Sequence, residues 1–403
     1  MAEFAVASNP RCGHGPPAML SLDQFAREKL TERAEQNLRR SIVETGPGDG
    51  VHVIRNGRTL LSFCSNDYLN LSQHPSVKQA AAHAAEKYGT GAGASRLVTG
   101  SHPLYAQLEQ RLARLKGAEA ACVFGSGYLA NTGIIPALAG HGDLIVIDEL
   151  AHASMYAGAR LSGADLKVFR HNDVAHAQSL LDRERGTHRH ALLVTEGVFS
   201  MDGDLAPLLE LSQLAQQYDA WLMSDDAHGI GVLGHGRGSS FVSSPPAIVP
   251  LQMGTLSKAI GSYGGYLCAS RDVIELMHNR ARTLVYSTGL PASVIAAAIA
   301  ALDIIEADPD YAALPVAKAR DFTRAANLPF AESPIVPIMI GTADAALQAA
   351  RMLEDEGFLV IAIRPPTVPD GTARLRVTFN AAQPDHEIAR LADIVRTRIL
   401  GQA

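Results

Sequence analysis

Cysteine is scarce in this 403-residue chain, and the four present, Cys12, Cys64, Cys122 and Cys268, lie far apart. None forms the close pairs that zinc ribbons and thiol redox motifs need, and distant thiols in so long a chain do not make a disulfide framework. They read as reduced thiols of a cytosolic protein. Positive charge is also in short supply. The formal net charge is −6 and only 19% of residues are charged, which leaves no footprint for nucleic acid. Long apolar runs are missing too: the most tempting, residues 294–302, stops at Asp303, about half of what a membrane span requires. The first twenty residues include Glu3, Pro10, Arg11, Cys12, Pro16 and Pro17 and lack the apolar core of a secretory signal. These absences point to a soluble protein inside the cell, with small molecules as partners and neither membrane nor nucleic acid among them.

What is present is a globular composition, 47% hydrophobic and rich in Ala and Gly, at a length that favours more than one structural unit. Residues 1–17 lack periodicity and read as a disordered leader. Residues 20–43 carry a helical pattern that Gly46, Gly48 and Gly50 break, so 1–59 is expected to be a leader and an N-terminal helical arm. From 60 to 286 short apolar runs alternate with amphipathic stretches. Strands are predicted at 120–124, 144–148, 166–169, 191–196, 221–225, 248–253 and 264–269, with helices at 128–139, 151–161 and 205–218. This is the rhythm of an α/β domain with a large, mainly parallel sheet, whose ligands sit beyond the carboxyl ends of the strands. After Pro291 an Ala-rich helix and alternating segments near 335–340, 358–363 and 373–379 predict a smaller C-terminal α+β domain over 287–403.

Four polar motifs fall at predicted strand ends. Gly254-Thr255-Leu256-Ser257-Lys258 holds a lysine among small residues, where it could form a Schiff base if its pKa is lowered, although a lysine so placed is more often a solvated surface residue. Asp225-Asp226-Ala227-His228-Gly229 could set a carboxylate against a pyridinium nitrogen. A capped turn or a pair of metal ligands are its other readings. Phe124-Gly125-Ser126-Gly127-Tyr128 opens a helix whose first N–H groups suit a phosphate, or it is an ordinary βα turn. His152 could stack on a flat ring or be a satisfied structural histidine. Their joint order on one sheet lifts all four above their separate bland readings. Gly89-Thr90-Gly91-Ala92-Gly93 follows a helical stretch rather than a strand and is not a dinucleotide loop. The cluster His188-Arg189-His190 reads as loop.

With these motifs, and with Ser65-Asn66-Asp67-Tyr68-Leu69, the run from Thr195 through Glu196 and Ser200 to Asp204, and Ala362-Ile363-Arg364-Pro365-Pro366-Thr367-Val368-Pro369, the chain resembles the α-oxoamine synthases from about Leu20 onward. These are fold-type I pyridoxal-phosphate enzymes that join an amino acid to an acyl thioester with decarboxylation. The resemblance implies that Lys258 is the Schiff-base residue and proton shuttle, that Asp225 pairs with the pyridinium, that His228 and Ser200 neighbour the phenolic oxygen, and that His152 stacks on the ring. It assigns the phosphate to Gly127, Tyr128 and Thr255, the amino-acid carboxylate to Arg376 and Asn66, and further substrate contacts to Thr367 and to Arg39 or Arg40. No metal is implied. Within the family the nearest members condense L-alanine with a pimeloyl thioester carried by coenzyme A or an acyl carrier protein; members that use glycine or serine share most of the site. A non-catalytic ligand-binding relative is the alternative of another class, and the joint presence of Lys258, Asp225 and His228 argues against it. The resemblance also implies a homodimer, with Ser287 and Thr288 reaching a neighbour's phosphate. Two positions depart from the pattern: Ser257 stands where many members have Gly, and Ile230 where Thr is common.

Overall fold

The structure, a computed structural model, describes residues 20–35 and 38–402, in two compact units divided between Glu44 and Thr45. The leader expected over 1–17 lies outside the described residues. The first unit contains α1 (Leu20–Glu35), none of whose residues is buried. A helix was expected as far as residue 43, but 38–44 are irregular. Ser41, Ile42 and Val43 favour non-helical backbone.

The second unit begins with β1 (Gly46–Pro47), β2 (His52–Arg55) and β3 (Arg58–Ser62), followed by α2 (Pro75–Tyr88) and α3 (Pro103–Lys116), each opened by a proline at its first turn. Strand and helix then alternate: β4 (Ala120–Phe124), α4 (Gly127–Leu138), β5 (Leu144–Asp148), α5 (Ala153–Ser162), β6 (Asp165–Phe169), α6 (Val174–Glu184), β7 (Ala191–Glu196), α7 (Leu208–Gln217) and β8 (Trp221–Asp225). The sheet is completed by β9 (Leu251–Thr255) and β10 (Gly265–Ala269). The strand expected at 248–253 starts later because Pro250, which has no N–H, cannot join a ladder inside a sheet.

The seven strands run in the order β4-β10-β9-β8-β7-β5-β6, all neighbours parallel except β10, which is antiparallel to both β4 and β9. Every residue of β5 and β7 is buried, as strands covered on both faces must be. Their side chains divide by alternation: Ile145, Ile147, Leu192 and Val194 pack under α4 and α5, and Leu144, Val146 and Leu193 under α6 and α7.

Four helices follow, α8 (Arg271–Arg280), α9 (Arg282–Val285), α10 (Ala292–Ala307) and α11 (Pro309–Ala326). Beyond them β11 (Ile335–Gly341), α12 (Ala343–Asp355), β12 (Phe358–Leu359), β13 (Ile361–Ile363), β14 (Ala373–Thr378) and α13 (Asp385–Ile394) make an α+β layer. The segment expected to alternate over 358–363 is two strands in two sheets. Phe358 pairs in parallel with Leu61 of β3, while β13 pairs antiparallel with β14 in the three-stranded order β11-β14-β13. Val51, Leu61 and Phe63 accordingly share a core with Phe322, Phe358, Val377 and Phe379. The fold is a mixed α/β architecture built on a large, mainly parallel sheet.

Among the described residues no helix is long and apolar enough to cross a membrane. Cys64, Cys122 and Cys268 are free, and burial pushes the Cys268 thiol up to about 12, which keeps it protonated and inert.

Candidate active site

Because β4, β7, β8 and β9 share one direction, Phe124, Glu196, Asp225 and Thr255 all reach the same sheet edge. A pocket opens there, lined by Ser126, Gly127, Tyr128, His152, Ser154, Glu196, Asp225, Ala227, His228, Thr255, Ser257 and Lys258. At one end α4 begins. Ser126 caps it, its Oγ accepting from Leu129 N at 3.2 Å. The Thr255 hydroxyl donates to Gly264 O at 2.7 Å and lies 2.8 Å from Ser257 Oγ. A side chain at Gly265 would put Cβ 2.5 Å from Ser126 O, so only glycine lets β10 pass this close to the helix start. The N–H groups of the first turn of α4, with the hydroxyls of Thr255 and Ser257, form a cradle suited to a phosphate.

In the middle of the pocket Asp225 is buried. Asn131 of α4 donates through Nδ2 to Asp225 Oδ2 at 2.8 Å and to Ser154 Oγ at 2.9 Å, and Ala227 N donates to Asp225 Oδ1 at 3.0 Å. The carboxylate is therefore fixed in place. His152 caps α5, its Nδ1 accepting from Ser154 N at 3.2 Å, and burial pulls its pKa down, which leaves a neutral, flat ring. Glu196 is buried beside Asp225, and its Oε1 has no partner. Burial, and then the Asp225 charge, push its carboxyl well above the usual range.

Lys258 Nζ lies 2.7 Å from His228 Nε2. Burial lowers the amine to about 8, although Asp225 and Glu196 favour its charge. Burial, joined by the charge of Lys258, holds the His228 imidazole well below its usual range. His228 Nδ1 meets the hydroxyl of Tyr68 at 2.6 Å, and that hydroxyl is 3.3 Å from Asn66 Oδ1. The line ends on Arg376 of β14, whose Nη1 and Nη2 both donate to Asn66 Oδ1 at 3.2 Å while Nε donates to Ser200 O at 2.6 Å. The neighbouring Arg374 pairs with Asp202.

The loop between β7 and α7 that supplies Ser200 and Asp202 is pinned from the far side. His171 Nδ1 meets Asp148 Oδ1 at 3.1 Å, and its Nε2 meets Asp204 Oδ2 at 2.8 Å. Behind the pocket Asp226 takes Lys116 Nζ at 2.7 Å and Ser239 Oγ at 2.6 Å, and Lys116 also donates to Arg237 O at 2.7 Å.

Gly127, Tyr128, His152, Asp225, His228, Thr255 and Lys258 thus converge, while Asn66, Ser200 and Arg376 form the adjoining polar cluster. Thr367 lies on the exposed turn between β13 and β14, away from the pocket lining, its N donating to Arg364 O at 3.1 Å. Arg39 and Arg40 belong to the first unit. Asn131, Glu196, Tyr68, Lys116 and His171 carry geometry to which no role was given from the sequence. An asparagine inside the apolar run of α4 was the clearest available signal. Among the described residues no group of three or more His, Cys, Asp or Glu side chains could hold a metal ion. The residues fit pyridoxal phosphate: a phosphate cradle, an anchored carboxylate, a flat neutral imidazole and a buried amine of lowered pKa, with the orphaned Oε1 of Glu196 among the pocket's polar atoms.

Residues 58–395 match the family model described as aminotransferase class I and II, and the chain belongs to that family. Within it the chain is similar to proteins named 8-amino-7-oxononanoate synthase. The protein of that name from Methylocella silvestris is 64% identical over 86% of this chain and 99% of its own, and the one from Beijerinckia indica 59% identical over 94% and 98%. A serine palmitoyltransferase from S. paucimobilis, solved with a bound PLP–myriocin aldimine, superposes with a TM-score of 0.87 at 27% identity, over 96% of this chain and 100% of that one. The protein is a pyridoxal-phosphate-dependent acyltransferase of the α-oxoamine synthase type.

Proposed function

We propose that the chain condenses L-alanine with a pimeloyl thioester, with loss of carbon dioxide, to give 8-amino-7-oxononanoate, a step of biotin synthesis. The observation that carries this reading is the identity of about 60% over almost the whole chain to proteins of that name. Pyridoxal phosphate supplies an aldehyde that binds amines and a ring that accepts electrons from the amino acid's Cα. Asp225, fixed by Asn131, would pair with the ring nitrogen and keep it protonated. Lys258 would hold the cofactor and, with an amine near pKa 8, could take and return the Cα proton. His152 would stack on the ring, His228 and Ser200 would contact the phenolic oxygen, and Gly127, Tyr128 and Thr255 would hold the phosphate.

Arg376, oriented by Ser200 and Asn66, offers its remaining N–H groups to the alanine carboxylate. Thr367 contacts a substrate, and the acyl group is carried by coenzyme A or an acyl carrier protein. The working form is a cytoplasmic homodimer, with Ser287 and Thr288 reaching the partner's phosphate. The Ser95–Thr288 bridge supports this: it ties a segment with exposed Leu97 and Val98 to one with exposed Tyr286, leaving apolar surface for a second copy. The test is a matrix of alanine, glycine and serine against pimeloyl, acetyl, succinyl and palmitoyl thioesters. Highest kcat/KM for alanine with pimeloyl thioester is expected, and a higher value for any glycine or serine pair refutes the substrate assignment.

A further inference from the structure

The line from Lys258 through His228 to Tyr68 contains a choice of hydrogen position that the surroundings resolve. Tyr68 is fully buried, and its hydroxyl has two acceptors in reach, His228 Nδ1 at 2.6 Å and Asn66 Oδ1 at 3.3 Å. Asn66 Oδ1 already accepts two N–H groups of Arg376, which uses both of its lone pairs. The open acceptor is also the nearer one. Burial pushes the phenol up to about 12 and the imidazole well below its usual range, so both groups are neutral and a single hydrogen must sit on one imidazole nitrogen. Were it on Nδ1, that N–H would donate to the phenol oxygen, and the phenol's own hydrogen would have to turn to the amide oxygen 3.3 Å away, which Arg376 already occupies.

We infer that Tyr68 is a positioning residue: its hydroxyl donates to His228 Nδ1 and so fixes the imidazole in the tautomer that presents Nε2–H to the pocket beside Lys258. Resting on the cofactor roles proposed above, this makes His228 a standing donor to the cofactor's phenolic oxygen, and to Nζ whenever the lysine is a free neutral amine. Without the hydroxyl the ring is free to put its hydrogen on Nδ1, where it would offer the pocket an acceptor instead.

Holoenzyme labelled with 15N-histidine decides this through the long-range proton–nitrogen correlations of His228, assigned by their loss in His228→Gln. The expected spectrum has a pyridine-like Nδ1 and a pyrrole-like Nε2. A pyrrole-like Nδ1 in the unaltered protein overturns the inference, whether or not Tyr68→Phe folds. In Tyr68→Phe the two shifts should exchange or average, the absorbance of bound cofactor should move, and kcat should fall at least tenfold with less change in KM for alanine. An unchanged Nε2–H tautomer in that variant also overturns it. None of these spectra depends on the acyl donor, so a failed alanine–pimeloyl assay leaves the tautomer result standing, and the reverse holds as well.

Discussion

Asp225 shows how much a single carboxylate at the site depends on neighbours that have no reactivity of their own. Asn131 supplies a hydrogen bond from a helix whose buried residues are mostly apolar, and the aspartate is anchored before any ligand arrives. Asp225→Asn should keep the fold, because the amide oxygen can still face Asn131. It should slow exchange of alanine's α-proton by about 10²–10⁴-fold, the size of a typical acid–base contribution, and proton NMR of alanine in deuterated buffer measures it. Arg376 makes a different kind of contact, a planar fork between Ser200 and Asn66. Arg376→Lys keeps the charge but loses the fork, so KM for alanine should rise roughly 10- to 150-fold, equivalent to about 1.5–3 kcal/mol for a charge-assisted hydrogen bond. Steady-state kinetics with alanine varied at saturating thioester checks it. The sequence made Lys258, Asp225 and His228 legible because their spacing is local. Glu196 and Tyr68 were visible only as members of quoted motifs, since their importance comes from burial and from partners distant in the chain.

At the scale of elements, the turn after β8 is clamped from behind. Lys116, at the end of α3, is 1% exposed and pairs with Asp226, the residue next to the site aspartate. Lys116→Met would leave a lone carboxylate in the interior at a cost of about 3–5 kcal/mol, read as a lower thermal midpoint with pyridoxal phosphate bound. The loop after β7 is held by charge. Burial opposes a charged His171, but the hydrogen bonds and charges of Asp148 and Asp204 outweigh it and raise the imidazole from 6.5 to about 10. Because the folded value lies above the unfolded one, this contribution to stability is complete below pH 6.5 and disappears as the pH rises to about 10. The thermal midpoint should therefore fall more across that interval in the native protein than in His171→Gln. An equal fall in both would remove His171 from the account. Most strands of the large sheet were readable almost to the residue, the fully covered ones because they are continuous apolar runs, whereas β9 was placed three residues too early. Strands β1 to β3 were not readable, because their pattern is short and half-exposed and the strand that joins them to the rest of the core, β12, pairs with β3 from about three hundred residues away.

For the whole molecule, the apolar residues left on the surface at Leu97, Val98, Tyr263 and Tyr286 set an expectation about assembly. Static light scattering should give twice the chain mass, and an active species of single-chain mass would exclude the proposed sharing of Ser287 and Thr288. The general architecture was accessible from the alternation of elements. How the last third of the chain returns to the first was not, because pairing between remote segments leaves no local periodicity. That return also sets a schedule. Asn66 and Arg376, which meet in the site, are 310 positions apart, and β3 gains β12 beside it only near the end of the chain. A ribosome adding about 5–20 residues per second needs roughly 15–60 s to pass from one to the other. The large sheet can assemble during synthesis, but the carboxylate-binding corner cannot exist until the chain is nearly complete. Nascent chains that already hold every residue of the cofactor cradle therefore cannot yet bind an amino acid productively.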